Sequence, residues 1–224
     1  MRDIHVLTTG GTIDKVYGVS GLLEIGPPAF QALMAPVLTD LRFVVTPVLA
    51  VDSLDMTEPD REQLCRAVEA VDGDLVLITH GTDTMAATAR HLAEHLSPAA
   101  RSKVVVLTGA MQPAAMRVSD ASYNLGTATA ALQLLPPGVH IAMSGRVFRA
   151  DEVVKDTTRG VFVEAPSPDL ERILRWERQG GEWQVLTTGA DAVTVALMRC
   201  DAGEEIDRLT SSAPDVLRHV AGAD

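Results

Sequence analysis

Cysteine and aromatic rings are both scarce in this chain of 224 residues, which holds two cysteines, four phenylalanines, two tyrosines and two tryptophans. Cys65 and Cys200 lack the paired spacing of a metal site, so a cysteine-held metal is excluded and two reduced, buried thiols are expected. With only 4% aromatic residues in a composition that is 46% hydrophobic, Ala, Val and Leu must fill the core, as they do between helices and parallel strands. Positive charge is also in short supply. Nineteen Lys and Arg against thirty Asp and Glu leave a formal charge of −11, which repels phosphate backbones and anionic membranes, so nucleic acid and membrane partners are not expected. No apolar run is long enough for a signal peptide before Thr8 and the glycines that follow it, and none spans a bilayer. These absences fit a reducing cytoplasm. Internal repeats and low-complexity tracts are missing too.

What is present is an alternation. Short apolar runs recur at Ile4 to Thr8, Phe43 to Val51, Leu75 to Thr79, Val104 to Thr108 and Val139 to Met143, with helical patterns between them. Leu64, Ala67, Val68 and Val71 fall on one helical face behind Thr57 as a candidate N-cap, and Met85, Ala89, Leu92 and Leu96 on another. Ser119 or Asp120 can cap a third helix carrying Leu125, Ala128, Leu132 and Leu135. The expected fold is α/β: an open, mostly parallel sheet with helices on both faces, plus a short C-terminal appendage. From about Val147 the pattern changes to short strands and charged turns. A hairpin-like stretch surrounds Gly180-Gly181, and after Val193–Met198 a helical pattern runs to Val220.

In open α/β sheets, ligands bind beyond the carboxyl ends of the strands. Three of the five runs here end in glycine-containing, hydroxyl-rich turns that bring Thr12, Ser53 and Thr82 together. Gly10 and Gly11 are read as a tight turn that exposes N–H groups to a substrate oxygen. The segment lacks the G-x-G-x-x-G spacing and the Gly-Lys-Thr of nucleotide sites. Plain turn chemistry, with Thr12 as a cap, is the competing reading. Amide hydrolysis needs a nucleophile, a base, oxyanion donors and an acid for the leaving ammonia. Asp83 beside Thr82, with a lysine held against them, would form a relay that activates a hydroxyl, and the lysines are only Lys15, Lys103 and Lys155. Tyr17, five residues after Thr12 on a glycine-rich loop, is placed to pass a proton, and that loop can act as a lid. His80 is expected to brace its strand end, His5 to be a satisfied core histidine, and Lys15 to be a solvated loop charge. Arg146, Arg149 and Arg159 are left out of the site. No His or Cys cluster offers metal ligands, and no cofactor is expected.

Thr9-Gly10-Gly11-Thr12-Ile13, Asp52-Ser53, His80-Gly81-Thr82-Asp83-Thr84, Gly109-Ala110-Met111-Gln112-Pro113, Asn124-Leu125 and Asp151-Glu152-Val153-Val154-Lys155 occur in an order that resembles the bacterial-type L-asparaginases. Ile13-Asp14-Lys15-Val16-Tyr17 is similar to the short-chain members. The resemblance implies a catalytic N-terminal-type domain over residues 1–165. It leaves 166–224 as a linker and a truncated appendage of one strand plus helices. It also implies that Thr12 attacks the side-chain amide of L-asparagine to form an acyl-enzyme, with Tyr17 assisting and Thr82, Asp83 and Lys155 as the second catalytic group. Gly11, Asp52, Ser53, Thr82 and Asp83 would bind substrate, Ser53 at the α-carboxylate and Asp83 at the α-ammonium.

The chain departs from the long members of that family at two places. Leu54 stands where they usually carry Gln, and the second domain, which supplies an acidic contact to the ammonium of a neighbouring subunit's substrate, is almost absent. Losing one such partner costs on the order of 1–3 kcal/mol, so a high Michaelis constant is expected. An amidase for another small amide, an ammonia-supplying subunit of an amidotransferase and a non-catalytic small-molecule binding module are the alternatives. A homodimer or higher homo-oligomer is expected, by the same resemblance.

Overall fold

The computed structural model describes residues 3–189, 191–199 and 203–222; the expected thiol at Cys200 lies outside the described residues. The chain divides into two compact units, residues 1–164 and 165–224.

In the first unit, β1 (Asp3–Gly10) leads into a hairpin of β2 (Lys15–Tyr17) and β3 (Leu23–Ile25). Then follow α1 (Phe30–Met34), β4 (Arg42–Val51), α2 (Glu58–Ala70), β5 (Leu75–Thr79) and α3 (Met85–His95). The unit continues through β6 (Val104–Thr108), α4 (Ala121–Leu134), β7 (Gly138–Met143) and β8 (Arg146–Arg149). It closes on a separate ribbon of β9 (Val153–Asp156) and β10 (Val161–Glu164). Six strands form one sheet in the order β4-β1-β5-β6-β7-β8, parallel except for β8. The expected five runs are all strands of this sheet.

Period-2 alternation divides each central strand between two cores. Val76, Ile78, Val105 and Leu107 meet Leu64, Val68, Met85, Ala89 and Leu92 of α2 and α3 on one face. Leu75, Leu77, Val104 and Val106 meet Phe30, Leu125, Ala128 and Leu132 of α1 and α4 on the other. Covered on both faces, β5 and β6 are buried at every residue, which is why they read as unbroken apolar runs. The Asp60 carboxylate accepts from the Thr57 N–H at 2.8 Å and from the Thr57 hydroxyl at 2.6 Å, fixing the start of α2. At α4, Ser119 Oγ accepts from the Ala121 N–H at 3.1 Å, and Asp120 turns towards a neighbouring loop. Cys65 is buried, and burial pushes its thiol up to about 11.

The second unit differs from the sequence reading. It contains α5 (Pro168–Arg178), then β11 (Glu182–Thr188), β12 (Val193–Met198) and β13 (Glu205–Ser211) in one antiparallel sheet, and α6 (Pro214–Ala221). Gly180-Gly181 is therefore a helix exit and not a hairpin turn. Gly180 adopts φ +81°, and its N–H donates to the Glu177 carbonyl while that of Gly181 reaches Trp176. Residues 205–211, expected in a helical stretch, form a strand in which Leu209 and Ser211 are buried and their neighbours are exposed. Two apolar positions in a charged segment carry too weak a period to be read locally; pairing with the apolar β12 decides the conformation.

Candidate active site

Because β4, β1 and β5 are adjacent, the turns that follow them leave the same edge of the sheet side by side. Gly10 and Gly11 both lie at positive φ, +92° and +78°. A Cβ on Gly11 would sit 2.3 Å from the backbone of Gly81, and one on Gly81 only 2.5 Å from Ser53 Oγ. The three turns touch because these positions have no side chain. Thr12 and Thr82 each follow one of the touching glycines, so their side chains start from a common point. The expectation that Gly10 and Gly11 expose their N–H groups is corrected. The Gly11 N–H donates to the Val51 carbonyl at 2.9 Å, and that of Gly10 lies close enough to the Asp14 carboxyl to favour its charged form, since backbone this deeply packed must pair internally. The N–H groups of Thr12 and Thr82 enter no backbone hydrogen bond among the described residues.

Thr12 opens a 3-10 turn, Thr12–Asp14, and is half-buried, with its hydroxyl free of hydrogen bonds to the described residues. Thr82 is buried. Lys155 Nζ donates to Thr82 Oγ1 at 2.9 Å and to Asp83 Oδ1 at 2.7 Å, joining residues more than seventy apart in the chain. The Lys155 side chain is 10% exposed and that of Asp83 40%, so the pair is sheltered on one side and open on the other. The ribbon delivers the lysine: Lys155 on β9 pairs with Phe162 on β10, which is anchored in the core beside α3.

Ser53 is 1% exposed, and its Oγ has no hydrogen-bond partner among the described residues. Its carbonyl accepts from Thr84 Oγ1 at 2.7 Å, which ties the turn after β4 to the turn after β5. Asp52 pairs with Lys15 at 2.5 Å, and this hydrogen-bonded ammonium holds its carboxyl below the usual carboxylate range. Lys15 is thus a paired charge and not the solvated one expected. Tyr17 is 66% exposed on β2, and its phenol makes no hydrogen bond to Thr12. The structure brings Gly11, Ser53, Thr82, Asp83 and Lys155 together and holds Asp52 on the same turn as Ser53; Tyr17 stands outside.

Supporting residues lie beneath. His80 is fully buried, its Nδ1 lies 2.7 Å from the Gly81 carbonyl, and burial lowers its pKa to about 4, so it is a neutral ring that donates and braces the turn as expected. His5 is not the satisfied core histidine expected, because its buried Nε2 has no partner among the described residues. Asn124 is buried and spans Gly109 O, Asp120 and the Ser144 N–H, while Asp120 accepts from the N–H groups of Met111 and Gln112. Asp14 was not recognised from sequence. It is 3% exposed, accepts from the Ala29 N–H at 2.8 Å, and burial pushes its carboxyl up to about 6 against the opposing effect of the Ala29 and Gly10 N–H groups. An acid set between Ile13 and Val16 directly after the glycine turn was the available signal. Arg146, Arg149 and Arg159 are paired with Glu164, Asp151 and Asp156. Among the described residues no group of three or more His, Cys, Asp or Glu is placed to hold a metal ion.

The family model described as asparaginase, N-terminal, matches residues 3–185. L-asparaginase 1 of Escherichia coli K12 is 31% identical over 185 residues, covering 77% of this chain, which spans about half (53%) of that relative. A glutamyl-tRNA(Gln) amidotransferase component of Thermoplasma acidophilum is 33% identical over 132 residues, 57% of this chain and 32% of its own length. The solved L-asparaginase of Thermococcus kodakarensis superposes with a TM-score of 0.66 at 25% identity, covering 99% of this chain and 68% of that one.

Proposed function

This chain belongs to the asparaginase family by its N-terminal domain, and we propose that it hydrolyses the side-chain amide of L-asparagine to L-aspartate and ammonia through an acyl-enzyme on Thr12. The hydrogen-bonded cluster of Lys155, Thr82 and Asp83 beside the Gly11–Gly81 contact is the observation that carries the reading. A structural ion pair alone has no need of a buried hydroxyl at the end of a sheet.

In the first step Thr12 Oγ1 bonds to the amide carbon, its proton passes to the departing nitrogen through Tyr17 on the closing hairpin, and the C–N bond breaks to release ammonia. In the second, water passes a proton to Thr82 Oγ1 while the Thr82 proton moves to Lys155 Nζ and Lys155 hands one to the Asp83 carboxylate, and the hydroxide so formed adds to the ester carbon. The bond to Thr12 then breaks, and the threonine recovers its proton. The N–H groups of Thr12 and Thr82, the latter preceding the N-terminus of α3, face the developing oxyanion. The unpaired Ser53 hydroxyl suits the α-carboxylate, Asp83 the α-ammonium, Gly11 the close approach of the substrate, and Asp52 fixes the turn that carries Ser53.

Ammonia release from millimolar asparagine tests the proposal, alongside the Thr12→Ala protein. We expect kcat to fall by at least about 10³-fold with melting unchanged, because the Thr12 hydroxyl has no structural partner. A Thr12→Ala protein that turns over asparagine like the parent removes the nucleophile assignment and favours a binding module. The similarity to an amidotransferase component, and the exposed Leu54 where a polar contact was expected, support a second reading as an amidase or ammonia supplier for another amide. Comparing asparagine, glutamine and simple amides separates the two. We place the enzyme in the cytoplasm as a homodimer or higher oligomer, which fractionation and light scattering test.

A further inference from the structure

At the edge of the six-stranded sheet opposite Thr12, a cavity of about 420 Å³ opens between the end of α3 and the starts of β6 and β7. Chain direction fixes the place: Lys103 precedes β6, Gly138 opens β7, and Arg90 and Glu94 lie in the second half of α3, whereas Thr12, Ser53 and Thr82 follow strand ends.

Four basic residues line the cavity, Arg90, Arg101, Lys103 and Arg149, against two acidic ones, Glu94 and Asp151. That is a local excess of two positive charges in a chain of net charge −11. Three of the cations are held by carbonyls and not by acids. Arg101 donates to the Leu96 carbonyl at 2.8 Å and to the Glu94 carbonyl at 2.7 Å, Lys103 to those of Val71 and Gly73, and Arg90 to that of Val153 at 3.2 Å. A carbonyl orients a cation without cancelling its charge, so each keeps its attraction for an anion. Arg149 alone pairs with carboxylates, at 3.3 Å to Asp151 and 3.5 Å to Glu152. Ala93, Pro137, Val139 and Ala150 supply an apolar wall, and the volume lies within the range of small-molecule sites.

We propose that this cavity binds a small phosphate monoester, its phosphate among the cations and its carbon body on the apolar wall, and that occupancy is felt at Lys155. Arg90 makes the connection. Arg90 is a lining residue of the cavity, and its guanidinium donates to the carbonyl of Val153, the first residue of β9, with Lys155 two residues further along that strand. Arg90 also belongs to α3, the helix that begins directly beyond Thr82 and Asp83. A phosphate that recruits Arg90 therefore loosens the clamp on β9 and withdraws Lys155 from its partners. The binding stands apart from the proposed reaction; its effect on turnover rests on the amidohydrolase reading, with a fall in kcat/KM of roughly 5- to 10-fold at saturation.

Glycerol 3-phosphate and inorganic phosphate, with glycerol as the uncharged control, are titrated calorimetrically into the full-length protein, its Arg149→Glu variant and its Arg66→Glu variant. Arg66 is exposed on α2 and away from the cavity, so both variants change net charge equally. Arg149 is 60% exposed, and its replacement leaves the core untouched. The expected result is binding of glycerol 3-phosphate, weakened at least about tenfold by Arg149→Glu and unchanged by Arg66→Glu, with faster amide hydrogen exchange at residues 153–156 when the ligand is present. No binding up to 10 mM, or equal weakening by both substitutions, overturns the site. Binding without a change in exchange at 153–156 overturns the coupling. Binding by a protein that releases no ammonia from asparagine upholds the site and sinks the proposed reaction; ammonia release without binding does the reverse.

Discussion

Asp14 and His80 titrate in opposite senses beneath one site. Burial holds Asp14 protonated up to about 6, above its ordinary value near 4, so the folded chain binds this proton more tightly than the unfolded chain does. Its contribution is present below pH 4 and is lost as pH rises to about 6, on the order of 2–3 kcal/mol. His80 behaves inversely. With a folded pKa of about 4 against an ordinary 6.5, its contribution is complete above pH 6.5 and is lost as pH falls towards 4. The two slopes oppose each other between pH 4 and 6. Asp14→Asn keeps an oxygen to accept from Ala29 and removes the titration, so chemical unfolding of this variant is expected to show stability that falls steadily from pH 6.5 to pH 4, with a steeper dependence than in the parent. Equal pH profiles would show that Asp14 does not titrate in this window. At Lys155, replacement by Met removes the donor to Thr82 and Asp83 and is expected to lower kcat by about 10²- to 10⁴-fold, with little change in KM, in a steady-state ammonia assay.

Elements, in turn, decide whether those residues meet. Lys155 is the one proposed site residue that the β9–β10 ribbon carries, and its position depends on Phe162, which faces the lysine across the pair and is 2% exposed in the core beside α3. Phe162→Leu should therefore reduce kcat without touching the site, through a displaced lysine, and lower stability by about 1–2 kcal/mol; recovery of activity at lower temperature would separate displacement from unfolding. The β2–β3 hairpin has a different task. It is secured at its base by the Gly26 N–H to the Asp14 carbonyl and by the Ala29 N–H to the Asp14 carboxylate, while Tyr17, Val19 and Leu22 further along are exposed. A hairpin held at the base and apolar at the tip is suited to close over a ligand. Limited proteolysis within residues 18–22 is expected to slow in saturating aspartate, and Tyr17→Phe to lower kcat more than it changes KM. Cleavage rates indifferent to aspartate would argue against closure.

Over the whole molecule, charge and size set the partners. A formal charge of −11 repels a phosphate backbone on average, and the basic residues at the cavity are a local departure from it at the scale of a small molecule. No helix among the described residues is long and apolar enough to cross a membrane. Dialysis against EDTA is expected to leave ammonia release unchanged, since the proposed chemistry draws on hydroxyls, a carboxylate and an ammonium; loss of activity restored by a divalent cation would reject that chemistry.

The sequence by itself determined the sheet, the helices that cover it and the turns that carry hydroxyls, because apolar periodicity and glycine placement are local signals with one dominant reading. Thr12, Ser53 and Thr82 were legible for that reason. Periodicity and spacing left the lysine open among Lys15, Lys103 and Lys155, and only the family resemblance pointed to Lys155; nothing in the sequence told that Lys15 belongs to Asp52, that Asp14 is buried, or that residues 205–211 pair as a strand. Those outcomes rest on contacts between segments far apart in the chain, where partners and dielectric are set by packing. Only the tertiary structure brings Lys155 to Thr82 and Asp83, and only burial turns Asp14 into a carboxyl that titrates near 6.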